Sequence, residues 1–423
     1  MKILIIGNGA REHAISWTLF NGPSNHNIYV APGNAGTQRF ATNIEIDSNN
    51  IPELLDFAKA LPADLTIVGP EIPLSNGIVD EFQKYGLPIF GPSRKASQIE
   101  SSKSYAKKIM ASAQVPTAKA QVFTSLSKIT KYLSNCSTPI VIKADGLAAG
   151  KGVIIAKSKS EVNDAIKEMF IDRSFGDASD KVLVEEFLEG NEISVFGFVD
   201  GEKVSSLVPA CDYKKIFDND LGPNTGGMGA YSPPPIWSKE LENSIRENIF
   251  LPVAKALVND KNPYKGLLYA GLMITKNGPM VIEFNCRFGD PEAQVILPRM
   301  KSDLSTLCLD IANGNLIQNQ LIEWDPNPTV TVVIASGGYP ERYTTGHEIS
   351  GLKESTNKVM VFHAGTQLNS NGKIITSGGR VLSITAKGPS FESARMLAYE
   401  EIQLINFKDA YYRTDIASKI LES

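Results

Sequence analysis

The strongest constraint lies at the amino terminus, where short unbroken apolar runs alternate with helical patterns and close in glycine turns. Ile3–Ile6, Ile28–Val30, Leu65–Val68 and Pro88–Phe90 read as strands. Glu12–Phe20, Pro52–Ala60 and a stretch reaching Tyr85 read as the helices between them. Such alternation predicts an α/β unit: a parallel sheet with helices on both faces. Sheets of this kind bind ligands beyond the carboxyl ends of their strands. Three loops lie there: Gly7-Asn-Gly-Ala-Arg-Glu12, Ala31-Pro-Gly-Asn-Ala-Gly36 and Gly69-Pro-Glu71.

The rest of the 423-residue chain does not keep this alternation, and its length allows about two to four domains. Ser102–Ala113 reads as a helix that Pro116 stops. Strand patterns follow at Ala120–Phe123, Ile140–Lys143, Val153–Ala156, Val182–Phe187 and Ile193–Val199. Helical patterns near Ser125–Ser134 and Ser160–Phe170 interrupt them. Strands Val204–Val208, Leu267–Ile274 and Met280–Asn285 then flank a long helix from Ser238 to Val258. This is an α+β region. Trp324-Asp-Pro-Asn-Pro328 reads as a hinge and boundary. Beyond it come strands Val330–Ala335, Met360–Ala364 and Arg380–Ile384 and a helix from Phe391 to Leu404.

Bulk properties exclude several classes. A net charge of −4 gives no global basic field for nucleic acid. The apolar run at Ile3–Ile6 is too short for a signal-peptide core, and no run is long enough to span a membrane. Cys136, Cys211, Cys286 and Cys308 are far apart, which argues against a zinc site or disulfide framework and fits a reducing cytoplasm. His13, His26, His347 and His363 are equally scattered, which disfavours a histidine metal site.

Five motifs carry chemistry. In the first turn Glu12 stands where a dinucleotide fingerprint has its third glycine, and the second strand ends without an acidic residue. A nicotinamide or flavin enzyme is disfavoured. A phosphate beside Gly9 and Arg11 and a ligand-free tight turn remain equally open. The second motif, Lys143-Ala-Asp-Gly-Leu-Ala-Ala-Gly150-Lys151-Gly152, fails as a Walker A loop. Its glycines are too close, and Gly152 replaces the hydroxyl residue that would hold Mg²⁺. Lying between two strands, it suits a lid folded over a triphosphate, with Lys143 beside it. The third, Glu185-Glu186-Phe187-Leu188-Glu189-Gly190-Asn191-Glu192, reads by itself as a solvated strand connection. In a nucleotide site, its Glu186–Leu188 backbone could meet an adenine edge and Glu192 a ribose.

The fourth motif joins Asp212-Tyr-Lys214-Lys215 to Gly222-Pro-Asn224-Thr-Gly226-Gly227-Met-Gly229. A long loop with this much glycine favours close backbone approach to a ligand. The fifth is Glu283-Phe-Asn285-Cys-Arg287-Phe-Gly-Asp290-Pro-Glu292. Alternation places Glu283, Asn285 and Arg287 on one strand face. Glu283 and Asn285 are hard oxygen donors suited to Mg²⁺, and Arg287 can fork onto a carboxylate or a transferring phosphoryl group.

Together these runs resemble the ATP-grasp superfamily and, within it, the glycinamide ribonucleotide synthetase (phosphoribosylamine–glycine ligase) family. Ser336-Gly-Gly-Tyr-Pro340, Phe362-His-Ala-Gly-Thr366 and Gly378-Gly-Arg380 extend the resemblance over essentially the whole chain. It implies an amino-terminal domain at 1–102, a central ATP-grasp domain at 103–121 and 194–323, a lid at 122–193 and a carboxy-terminal domain at 324–423. It further implies ATP held by Lys103, Lys143, Gly150, Lys151, Gly152, Glu185–Leu188 and Glu192, with Mg²⁺ or Mn²⁺ on Glu283 and Asn285. Glycine would be activated as glycyl phosphate and joined to 5-phosphoribosylamine, with Arg287 on the carboxylate and Asp290 and Asp212 on the amines. Gly9, Arg11, Lys214, Asn224, Gly226 and Gly227 would complete the substrate site. A cytoplasmic monomer without nucleic-acid or membrane partners is expected. An ATP-grasp enzyme using bicarbonate or formate is the alternative, and a nucleotide-binding regulator without turnover is a second. Cys211, Phe217 and Ala10 depart from the family pattern, and Tyr269–Ile274 lacks the acidic metal ligand many superfamily members carry there.

Overall fold

Ile3, Leu4, Ile5 and Ile6 are completely buried in the computed structural model, which describes residues 1–147, 152–353, 356 and 358–421. Gly150 and Lys151 lie outside the described residues. The pleat sends Leu4 and Ile6 into one core and Ile3 and Ile5 into another, as an unbroken apolar strand between two helical layers requires. The five parallel strands run in the order Thr42–Asn43, Asn27–Pro32, Lys2–Gly7, Leu65–Val68, Ile89–Phe90. Strand order reverses beside Lys2–Gly7 and Leu65–Val68, so the loops after these two strands flank a crevice.

Ala120–Phe123, Val182–Glu186, Ile140–Ala144 and Val153–Ala156 form a four-stranded antiparallel sheet in that order. Helices Leu126–Ser134 and Lys159–Ile166 cover it and close a separate core around Ile129, Leu133, Ile142, Val162 and Val184.

The largest sheet has nine strands. Gly278–Asn285, Lys265–Thr275, Asn191–Asp200, Val208–Asp212 and Gly229–Ser232 lead into Thr329–Ala335, Arg380–Lys387 and Val359–His363, and the ninth, Lys203–Val204, pairs with Asn191–Asp200 off this path. Tyr231 pairs with Val330, so the ladder joins the region beyond the Pro-rich segment to the central part. Among the described residues no helix is long and apolar enough to cross a membrane.

Three local readings change. The single strand expected at Val204–Val208 is two, Lys203–Val204 and Val208–Asp212. Between them the Ser205 hydroxyl accepts from the Phe198 N–H at 3.1 Å and donates to the Ser206 carbonyl at 2.7 Å, competing with the ladder. The helix reaching Tyr85 is broken into Glu71–Ser75 and Ile78–Lys84 at Gly77, whose φ is 91°. A further helix, Leu304–Asn313, is capped by Asp303 and ended by Gly314 at φ 81°.

The carboxy-terminal tail fastens the hairpin Lys215–Phe217 and Leu221–Asn224, which follows Lys214. Arg413 is fully buried over the Tyr213 ring, 4.8 Å from its centroid. It donates to Asp415 at 2.7 and 2.6 Å, to the Lys215 carbonyl at 3.0 Å and to Asp220 at 3.1 Å. Arg413→Ala strands these acceptors and should lower the unfolding free energy by about 2–4 kcal/mol in urea titrations. Asp220→Asn, at a half-exposed partner, should cost less than about 1 kcal/mol.

Candidate active site

A cavity of ≈ 480 Å³ opens where the crevice, the four-stranded unit and the nine-stranded sheet meet. Arg11 and Glu71 reach it from the amino-terminal unit, Lys143 and Gly152 from the four-stranded unit, and Glu283 and Arg380 from the large sheet. Lys103, Asp212, Lys214, Gly226, Asn285, Arg287, Asp290 and Glu292 also line it.

One wall is cationic. Lys103 and Lys107 stand four residues apart on one face of the helix Lys103–Ser112. Lys143 points at them from its strand. The Glu185 carboxylate bridges two of the three, with Lys143 Nζ at 2.8 Å and Lys107 Nζ at 3.1 Å. Lys143 also donates to the Ile282 carbonyl at 3.3 Å and Lys103 to the Gly146 carbonyl at 3.0 Å. Burial pulls both Lys103 and Lys107 below their ordinary pKa, and Lys143 adds to the effect, against Glu283 and Glu185 respectively. Cations held this way favour an added anion. Asp145 braces the loop, accepting from the Ser104 N–H at 3.0 Å and from the Ser102 hydroxyl at 3.3 Å.

Glu283 faces this wall. Burial opposes its charge, but Lys214, Lys143, Lys103 and Arg287 hold its carboxyl below the usual range. Among the described residues no cation lies within ion-pair distance of it. Its ladder partner is Gly271, so the neighbouring strand supplies no second carboxylate. Among the described residues no three His, Cys, Asp or Glu side chains converge on a metal position.

Arg287 is held on all sides. It donates through Nε to Glu71 at 3.2 Å, through Nη2 to Asn285 Oδ1 at 3.2 Å, and through Nη1 to the Phe288 carbonyl at 3.3 Å. Nη2 also pairs with Glu100 at 3.0 Å. Glu100 in turn accepts from the Cys286 N–H at 2.8 Å. The last wall is acidic. Asp212 pairs with Lys214 at 3.5 Å, and Lys214 also contacts Glu192. Buried Glu292 accepts from the Ser194 hydroxyl at 3.0 Å. Burial pushes the Asp212 carboxyl up to about 7; Lys214 resists, while Glu292 and Glu192 add to the rise.

The first glycine turn holds its own anion. Glu12 accepts from the Gly9 N–H at 2.6 Å and from Arg11 Nε at 2.6 Å. A Cβ at Gly69 would stand 2.0 Å from a Glu12 oxygen, so glycine there makes room for this carboxylate. Asp290 takes the Arg11 N–H at 3.4 Å, Gln294 Nε2 at 2.8 Å and Arg380 Nη1 at 3.2 Å. Burial works against its charge, but Arg380 and Arg11 keep its carboxyl low. Asn224 ends the hairpin opposite Lys215, and Gly227, at φ 111°, lies where a Cβ would stand 2.3 Å from Pro291.

Models of the phosphoribosylglycinamide synthetase N, ATP-grasp (A) and C domains match residues 1–100, 101–293 and 329–419. The chain belongs to the phosphoribosylglycinamide synthetase family. A phosphoribosylamine–glycine ligase of Caldanaerobacter subterraneus is 49% identical over 418 residues, covering 99% of this chain and 100% of the relative. The crystal structure of the Thermotoga maritima phosphoribosylamine–glycine ligase superposes with a TM-score of 0.86 at 32% identity, covering 99% of this chain and 100% of that one. A biotin carboxylase from Campylobacter jejuni reaches a TM-score of 0.76 at 16% identity, covering 100% and 95%, and shares the fold.

Against this family background, Glu71, Glu100, Lys107, Glu292, Tyr339 and Arg380 line the cavity without having been given a role by sequence reasoning. The spacing of Lys103 and Lys107 was a readable signal; Glu71 and Glu100 were not readable, because their partner Arg287 is remote in sequence. A buried carboxyl that titrates near neutrality makes folding favour its protonated form. Stability from Asp212 is therefore full below its unfolded value and lost as pH rises through about 7. Between pH 6 and 8 the urea midpoint of Asp212→Asn should fall less than that of the parent. Equal slopes would place this carboxyl near its ordinary value.

Proposed function

We propose that this cavity joins glycine to 5-phosphoribosylamine at the expense of ATP, giving glycinamide ribonucleotide, ADP and phosphate. One observation carries the reading. A lysine wall fit for a polyphosphate, an ionised Glu283 and a buried acidic wall share one cavity. Lys103, Lys107 and Lys143 take the phosphates of ATP, and the loop with Gly150, Lys151 and Gly152 covers them. The Glu186 N–H already donates to the Lys119 carbonyl at 3.1 Å, so the adenine edge is read by the Glu186 carbonyl and the Phe187–Leu188 backbone. Glu192, beside Lys214, meets the ribose.

Glu283 and Asn285 offer two hard oxygens without nitrogen or sulfur donors, a set that fits Mg²⁺ or Mn²⁺ with water and phosphate as remaining ligands. A divalent cation there supplies charge neutralisation at the transferring phosphoryl group. Arg287, fixed by Glu71 and Glu100, orients the glycine carboxylate. A carboxylate oxygen attacks the γ-phosphorus and ADP leaves, giving glycyl phosphate. The amine of phosphoribosylamine then attacks the carbonyl carbon, phosphate leaves, and the nitrogen gives up a proton. Asp212 and Glu292 face the amines; Asp290 is already committed to Arg380, Gln294 and the Arg11 N–H. The chemistry needs placement and charge neutralisation more than a nucleophilic side chain. The lid at 122–193 keeps water from the acyl phosphate.

The reading takes the chain as a cytoplasmic monomer; its four cysteines are free thiols, which fits a reducing compartment. ATP and phosphoribosylamine incubated with glycine should release ADP, and bicarbonate or formate in place of glycine should not. Glu283→Ala should lower kcat by at least about 100-fold. Release with bicarbonate alone, or an unchanged rate in the variant, would overturn the substrate or the Glu283 assignment respectively.

A further inference from the structure

Arg380 is the one arginine of the cavity that the carboxy-terminal region supplies, and only one side of its guanidinium is used. Nη1 donates to the Gly226 carbonyl at 2.7 Å and the Asp290 carbonyl at 2.9 Å, and pairs with Asp290 Oδ1 at 3.2 Å. Among the described residues neither Nε nor Nη2 has an acceptor. The group is held in place all the same. A Cβ at Gly226 would lie 2.9 Å from Arg380 Cζ and 3.1 Å from both Nε and Nη2, so the guanidinium packs directly on this glycine. The Gly226 N–H donates to the Tyr339 hydroxyl at 2.9 Å, which leaves the Tyr339 proton free to donate. Arg380, Tyr339 and Gly226 all line the cavity.

A fixed arginine with two parallel donors free is a fork for the oxygens of a carboxylate or phosphate. The neighbouring Asp290 carboxylate does not cancel it, because Asp290 is also taken by Gln294 and the Arg11 N–H. We propose that the Nε–Nη2 edge of Arg380, with the Tyr339 hydroxyl, seats the phosphate ester of the ribosyl substrate. The proposal rests on the ligation reading above. It gives that substrate two ends: an amine at Asp212 and Glu292, and a phosphate at Arg380. The site then disfavours a riboside, which brings no anion to this half-buried guanidinium edge.

The test titrates glycinamide ribonucleotide, and the glycinamide riboside lacking the phosphate, into parent, Arg380→Gln and Arg380→Lys proteins by calorimetry. ADP release is measured in parallel. The parent should prefer the ribonucleotide by about 10- to 100-fold, the worth of hydrogen bonds to a charged group. Both variants should lose that preference, with ATP affinity unchanged. Arg380→Lys keeps a cation beside Asp290 and Gly226 but has no second edge, so it decides the matter if Arg380→Gln folds poorly. A variant that folds and keeps the preference overturns the phosphate seat alone. A parent that releases no ADP with glycine and phosphoribosylamine overturns the ligation reading, and the seat with it.

Discussion

Buried charge at the seams holds this site together. Arg287 follows the strand Gly278–Asn285 of the large sheet, Glu71 comes from the amino-terminal unit and Glu100 from the short helix Gln98–Ser101. Burial weakens the Arg287 charge, and Glu100 and Glu71 more than restore it. Glu71 also lies 4.0 Å from Arg11 of its own unit, but Arg287 has both of its carboxylate partners outside the large sheet. Removing water from an isolated ion is costly, so the buried Arg287 is satisfied only when its sheet is docked on Glu71 and Glu100. The same logic recurs where Glu185 joins Lys143 to Lys107, and where Asp290 joins Arg380 to the start of the first helix. The cavity is the place where these seams converge.

Much of this was legible in the sequence. The buried parallel strands, the glycine hairpin after Lys143 and the Glu283, Asn285, Arg287 run follow from local pattern, and local pattern is what side-chain alternation and turn chemistry encode. The break at Ser205 was less legible, because it depends on a serine hydroxyl outcompeting a strand pair. Pairings across the fold were not legible. Glu12 looks like an interrupted phosphate motif, and only its bonds to Gly9 and Arg11 show that the helix start already holds an anion. Lys107 is marked by its spacing from Lys103, but nothing local marks Glu185 as its partner.

Family and fold contribute different things. The full-length match to phosphoribosylamine–glycine ligases carries the choice of substrates, whereas the 16% likeness to a biotin carboxylase shows only that the same scaffold is used elsewhere. What the geometry adds is a set of charges sharing one cavity: a lysine cluster, an ionised carboxylate and a group of buried acids about Lys214. That set suits a negative nucleotide meeting a small amino acid whose carboxylate reacts and whose amine does not.

The central claim is that the carboxylate of glycine is activated by phosphorylation in this cavity. Glycine labelled with ¹⁸O in both carboxylate oxygens tests it directly, with mass analysis of the phosphate released in a single turnover. The account predicts one labelled oxygen in the phosphate and the other in the amide. Unlabelled phosphate, formed while glycinamide ribonucleotide accumulates, would contradict it.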